Sequence, residues 1–174
     1  MNKKLTLILA FLLLVLMSAY SQKNVAKQNH YNLAIAAIKA NNLSELDAQL
    51  KHIKNIDSLI QQGEDISYTL LGYACLYKNK AAIEKLIAQK ANIDYAYSDD
   101  IYIYDALCMA INNGDYALTK YFISKGAKVN QPYTEEGGCP LVFSCLTNNL
   151  PITALLLSCG AKADGMGNLG ADYT

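Results

Sequence analysis

The 174-residue chain contains no arginine. Proteins that grip phosphate and guanine lean on the guanidinium fork and on a basic face. Here 15 lysines are balanced by 15 acids, so nucleic-acid binding is excluded. Histidine is nearly as scarce. His30 and His52 lie far in sequence from the cysteines, and no C-x-x-C occurs, so the ligand spacing of a metal site is lacking. Also missing are G-x-S-x-G, H-E-x-x-H and P-loop strings. Residues 165–170, "GMGNLG", fit G-x-G-x-x-G. That string acts only between a strand and a helix whose amides meet a pyrophosphate, and four residues remain after it. The match is accidental. The chain reads as a non-enzyme with no cofactor and no metal.

There is no apolar run of the roughly 20 residues that a spanning helix needs. A shorter one, "LTLILAFLLLVLM" at residues 5–17, follows Lys3 and Lys4 and precedes "SAYSQ". Ala19 and Ser21 stand at the minus-three and minus-one positions for cleavage before Gln22, which is the pattern of a secretory signal peptide. Residues 1–21 are therefore expected to be a signal, with an uncleaved anchor as the alternative. No cysteine follows the run, so a lipoprotein anchor is not expected. Export is predicted, to the periplasm first and to the medium second, with membrane contact only through an uncleaved signal. Without Lys3 and Lys4 the mature chain keeps 13 lysines against 15 acids, a net charge of −2.

Five cysteines, Cys75, Cys108, Cys139, Cys145 and Cys159, lie in the mature part. Export allows disulfides, and an odd count leaves at least one thiol unpaired within the chain. Cys75 and Cys145 read as small apolar core fillers. Cys159, beside Gly160, is the least core-like.

Self-similarity decides the architecture. "TLLGYACLYKNKAAIEKLIAQKANID" from Thr69, "DALCMAINNGDYALTKYFISKGAKVN" from Asp105 and "CPLVFSCLTNNLPITALLLSCGAKAD" from Cys139 align, with starts 36 and 34 residues apart. Each predicts a short helix, a polar turn, a second helix, then Lys-Ala or Gly-Ala with Asn or Asp three residues on. Thr69 and Asp105 suit the N-cap, Pro140 the first helical position, and Gly126 and Gly160 a left-handed helix end. Leu71, Ala74, Leu107, Ala110 and Leu141 recur at helical spacing, as do Leu86, Phe122 and Leu156. These are predicted core, and one such unit must stack on the next to bury it.

The pattern resembles the ankyrin repeat, T-P-L-H-x-A-A, then G, a Leu-rich helix and G-A-x-x-N. "GDYALTKYFISKGAKVN" carries the resemblance best. Gly72, Cys108 and Val142 replace the family's His, and Lys90 stands where the helix-ending Gly belongs. The resemblance implies an all-α solenoid of about four helix-turn-helix units with β-hairpin fingers over residues 30–170. An irregular first unit is expected at 30–63 and repeats near 65–98, 99–132 and 133–166. Residues 22–29 are expected to be a flexible leader and 167–174 a tail. In the first unit, Leu43, Leu46, Leu50, Ile53, Leu59 and Ile60 predict a second helix about ten residues longer than usual.

The resemblance also implies the binding surface. "DYAYSDDIYIYD" falls where a finger would project, with Tyr95 and Tyr97 on one arm, Tyr102 and Tyr104 on the other, and Asp99 and Asp100 at the tip. Tyrosine offers large contact area at low rotamer cost; the alternative is that these rings pack between fingers and stiffen them. A second finger, "QPYTEEGGCP", brings Tyr133, Glu135 and Glu136. The concave face would continue onto the first helices through Tyr73, Leu76 and Tyr77, then Met109, Asn112 and Asn113, then Phe143, Leu146 and Thr147. Acidic tips favour a protein partner with a basic surface. The expected function is a non-enzymatic protein-binding module of the envelope or medium, in an inhibitor or immunity-type role. The alternative is an envelope stress or redox-protective factor using Cys159.

Overall fold

The structure, a computed structural model, describes residues 3–61, 67–95, 97–98, 103–131 and 139–163. The chain divides into two compact units, Met1–Asn55 and Ile56–Thr174.

The first unit is a helix pair, α1 (Lys3–Lys39) and α2 (Leu43–Leu50). α1 runs without a break through residues 22–29, so the segment expected as a flexible leader is helical. Its apolar side chains from Leu12 to Met17 are exposed, whereas Tyr31, Ala34, Ile35 and Ile38 are buried, as is Leu46 of α2. Tyr31 donates its hydroxyl to the Asn55 carbonyl at 2.6 Å. Among the described residues no helix is long and apolar enough to cross a membrane. α2 stops at Leu50, which corrects the long second helix expected here. The apolar residues beyond it, Ile53, Leu59 and Ile60, continue the sequence stripe but not the helix.

The second unit repeats one motif three times. First helices α3 (Leu70–Leu76), α5 (Ala106–Asn112) and α7 (Pro140–Leu146) each have seven residues. Second helices α4 (Lys80–Ala88), α6 (Tyr116–Ser124) and α8 (Leu150–Ser158) each have nine. Thr69 and Asp105 cap as expected, accepting from the amides of Gly72 and Cys108. Pro140 occupies the start of α7, where no side-chain cap bond forms. The polar turns supply a second set of caps: Asn79, Asp115 and Asn149 accept from the amides of Ala82, Leu118 and Ile152. Each satisfies one of the amides that a helix start leaves open.

α3 packs on α5, α5 on α7, and α6 on α8. The predicted core residues Leu71, Ala74, Leu86, Leu107, Ala110, Phe122, Leu141 and Leu156 are all buried. Ser144 takes the small position of Ala74 and Ala110 in α7, and its hydroxyl meets the Leu141 carbonyl and Thr153 Oγ1.

A ladder of side-chain acceptors links the repeats. Asp57 Oδ1 accepts from the Asn92 amide, Asp94 Oδ1 from Lys128 and Asn130 Oδ1 from Lys162, each at 2.9 Å. Asp94 and Asn130 are the Asn/Asp of the repeat pattern. Asp57 shows that the pattern begins one unit earlier, where "NID" at 55–57 repeats as "NID" at 92–94. Two antiparallel hairpins project between helix pairs. β1 (Ile60–Gln61) pairs with β2 (Ser67–Tyr68), and β3 (Tyr97–Ser98) with β4 (Ile103–Tyr104).

Candidate protein-binding interface

The tyrosine segment forms the hairpin its alternation predicts. Tyr97 stands opposite Tyr104 and Ser98 opposite Ile103. Asp99, Asp100 and Tyr102 lie outside the described residues, as do the rings of Tyr97 and Tyr104. Tyr95, at the base of this finger, is exposed. Tyr133, Glu135 and Glu136, expected on a second finger, lie outside the described residues too.

On the first helices the expected surface divides. Tyr77, Asn112, Asn113 and Thr147 are exposed, as are Leu76 and Leu146. Tyr73, Met109 and Phe143 are buried, which corrects their assignment to an open concave face. For Tyr73 the cause is the hairpin β1–β2, which sequence reading did not find. Tyr73 donates its hydroxyl to the Ile60 carbonyl of β1 at 2.8 Å, and its ring meets Tyr68 of β2 edge-on, centroids 5.5 Å apart. The fourth residue of each first helix is buried; the last residue and its successor reach solvent. Tyr77 extends the aromatic row, stacked on Tyr73 at 6.4 Å.

Gly72 now has a structural reason. A Cβ on it would stand 3.0 Å from Tyr68 Cβ, so the ring of the preceding strand fills the room that a side chain here would take. "SYT" at 67–69 was the available signal, an aromatic strand residue directly before a capping threonine.

A crevice of about 10 Å³ opens between the fingers, lined by Tyr68, Thr69, Asn92, Tyr95, Asp105 and Met109. It admits one water-sized group. A hollow of about 130 Å³ on the turn side, lined by Cys75, Lys78, Lys80, Asn113, Asp115 and Tyr121, is smaller than the several hundred Å³ of an ordinary ligand pocket. Burial, and secondarily the charge of Glu84, holds the Tyr121 hydroxyl above its usual range.

The thiols fall into two groups. Cys75, Cys108 and Cys139 are buried, Cys145 and Cys159 exposed. Burial pushes the Cys75 and Cys108 thiols well above the usual range, and the Asp105 carboxylate adds to it. Both remain neutral and unreactive. Cys145 was expected in the core beside Cys75; it occupies the equivalent helix position, but in the last repeat that position faces solvent. Among the described residues no group of three or more His, Cys, Asp or Glu is placed to hold a metal.

No protein-family model matches the chain. It is similar to the putative ankyrin repeat protein L371 of Acanthamoeba polyphaga mimivirus, 34% identical over 91 residues, covering 52% of this chain and 11% of the relative. The chain belongs to the ankyrin-repeat family. It is also similar to the phosphocholine transferase AnkX of Legionella pneumophila, 30% identical over 124 residues, covering 70% of this chain and 12% of that protein. The chain thus spans roughly a ninth to an eighth of these relatives' lengths. Ankyrin repeats are protein-interaction modules and generally carry no catalysis. In this ankyrin protein the helix pairs of the second unit, with a side-chain cap at every helix start except that of α7 and tied by the Asp/Asn ladder, hold the exposed ends of α3, α5 and α7.

Proposed function

We propose that this protein is a non-catalytic, exported binding module that captures another protein through its fingers and the exposed ends of its first helices. The observation that carries the reading is the exposed row Leu76–Tyr77, Asn112–Asn113 and Leu146–Thr147 on helices whose other faces are locked in the core. A rigid surface loses little entropy on binding. Tyr95 extends it to the base of the finger, and Tyr97, Tyr102, Tyr104 and Tyr133 are the further tyrosines that the sequence offers to a partner. Asp99, Asp100, Glu135 and Glu136 favour a basic partner surface. Tyr73, Met109 and Phe143 support this surface from beneath. Cleavage before Gln22 fits the core, which begins at Tyr31, so removing the apolar segment takes away no buried residue described here. An inhibitor or immunity-type role in the periplasm suits such a binder. The phosphocholine transfer that names one relative is not carried over, because the chain covers 12% of it.

The test is crosslinked capture from the envelope fraction with the native chain and with a Tyr77→Ala/Tyr95→Ala variant. Capture of one protein by the first, lost in the second at unchanged melting temperature, supports the reading. Equal capture by both refutes it.

A second reading rests on Cys159, which is exposed at the end of α8: an envelope stress or redox-protective factor acting through this thiol. A Cys159→Ser variant with full function in oxidatively stressed cells would eliminate it.

A further inference from the structure

The chain has two histidines, His30 and His52. In sequence they stand far from the cysteines and 22 residues from each other, but the first unit brings them together. His30 lies on α1, and His52 two residues beyond the end of α2. Their rings stack, with centroids 4.6 Å apart and planes 14° from parallel.

Hydrogen bonds fix how the His30 ring is presented. Glu45 Oε1 accepts from Gln49 Nε2 at 2.6 Å. A carboxylate only accepts, so Gln49 gives its amide nitrogen to Glu45 and turns its oxygen to His30. That oxygen lies 2.7 Å from His30 Nδ1, and it too only accepts, so Nδ1 carries the proton. The neutral ring then keeps its free lone pair on Nε2. Metal-ligating histidines are held in this way, the second ring nitrogen donating to an oxygen that is itself oriented.

We propose that His30 and His52 form a dihistidine site for a divalent transition ion of the zinc and copper class. Imidazole nitrogen is a ligand that suits both ions. Bonds of about 2.0–2.1 Å to each nitrogen require the two lone pairs to converge, whereas stacked rings carry them side by side. His52 supplies the adjustment. It is exposed whereas His30 is half-buried, and exposed side chains change rotamer within nanoseconds, so its ring turns toward an ion on His30 Nε2. Among the described residues no group of three or more His, Cys, Asp or Glu is placed to hold a metal, so water completes the coordination. The bound ion ties α1 to the chain beyond α2.

Isothermal titration of the full chain with zinc and with copper(II), Cys145 and Cys159 alkylated beforehand, tests this. One ion per chain is expected. His30→Gln and His52→Gln should each weaken it roughly a hundredfold, because the second imidazole acts at high effective concentration. Electron paramagnetic resonance of the copper complex should show two imidazole nitrogens in the native chain and one in each variant. Unchanged circular dichroism confirms that the variants fold. No binding at millimolar zinc and copper overturns the proposal. So does binding that either variant leaves unchanged, or a native copper complex with a single imidazole.

Discussion

Lys90 is the residue at which this chain departs most clearly from its own repeat. It holds φ +66° where Gly126 and Gly160 hold +96° and +87°. A side chain in that region costs about 1 kcal/mol, so Lys90→Gly is expected to raise stability by about 0.5–1 kcal/mol, read as a higher urea midpoint at unchanged slope. The thiols carry a second expectation. In the folded protein Cys145 and Cys159 should alkylate quickly, and Cys75, Cys108 and Cys139 only on unfolding, counted by mass. Because burial holds Cys75 and Cys108 neutral, above about pH 8.5 their thiols ionise in the unfolded chain alone. The folded state then binds more protons, and stability falls as pH rises. Urea unfolding from pH 7 to 10 should show a shallower loss in a Cys75→Ala/Cys108→Ala variant than in the native chain.

At the scale of the element, helix starts and ladder bonds were unequally legible. Thr69 and Asp105 announce first-helix caps because each directly precedes an apolar periodic run. Asn79, Asp115 and Asn149 cap the second helices from inside turns already read as polar, so composition hid their role. Asn79 is itself buried, and Asn79→Ala should cost about 1 kcal/mol. Asp94→Ala should cost a similar amount or somewhat more. It removes the bond to the Lys128 amide and a 3.7 Å contact with the Lys128 ammonium, although that lysine is solvated and the ion pair adds little. Thermal melts of the two variants check both values. α2 was overextended because Ile53, Leu59 and Ile60 prolong an apolar rhythm past the helix end; periodicity does not see termination.

Across the second unit, three stacked helix pairs divide each first helix into buried residues and an exposed end, and the contrast among its tyrosines tests that division. Tyr73→Phe should lower stability by about 1 kcal/mol through loss of the bond to the Ile60 carbonyl, and Tyr73→Ala by about 3–5 kcal/mol, as for other large buried rings. Tyr77→Ala should leave the melt nearly unchanged while weakening partner capture. If the two tyrosines behave alike, the separation of core from surface is wrong.

The repeat, its helix pairs, its caps at Thr69 and Asp105, the glycine helix ends and the finger at 97–104 were determined by the sequence alone, because each follows from spacing and local backbone preference. Which tyrosines face solvent was decided by tertiary structure. Tyr73 and Tyr77 lie one helical turn apart and look alike in sequence, but the hairpin β1–β2 covers one and leaves the other open. The same holds for Cys75 and Cys145, which share a helix position. A following helix pair buries the first; the second stands on the last pair, where burial depends on a neighbour that local sequence does not encode.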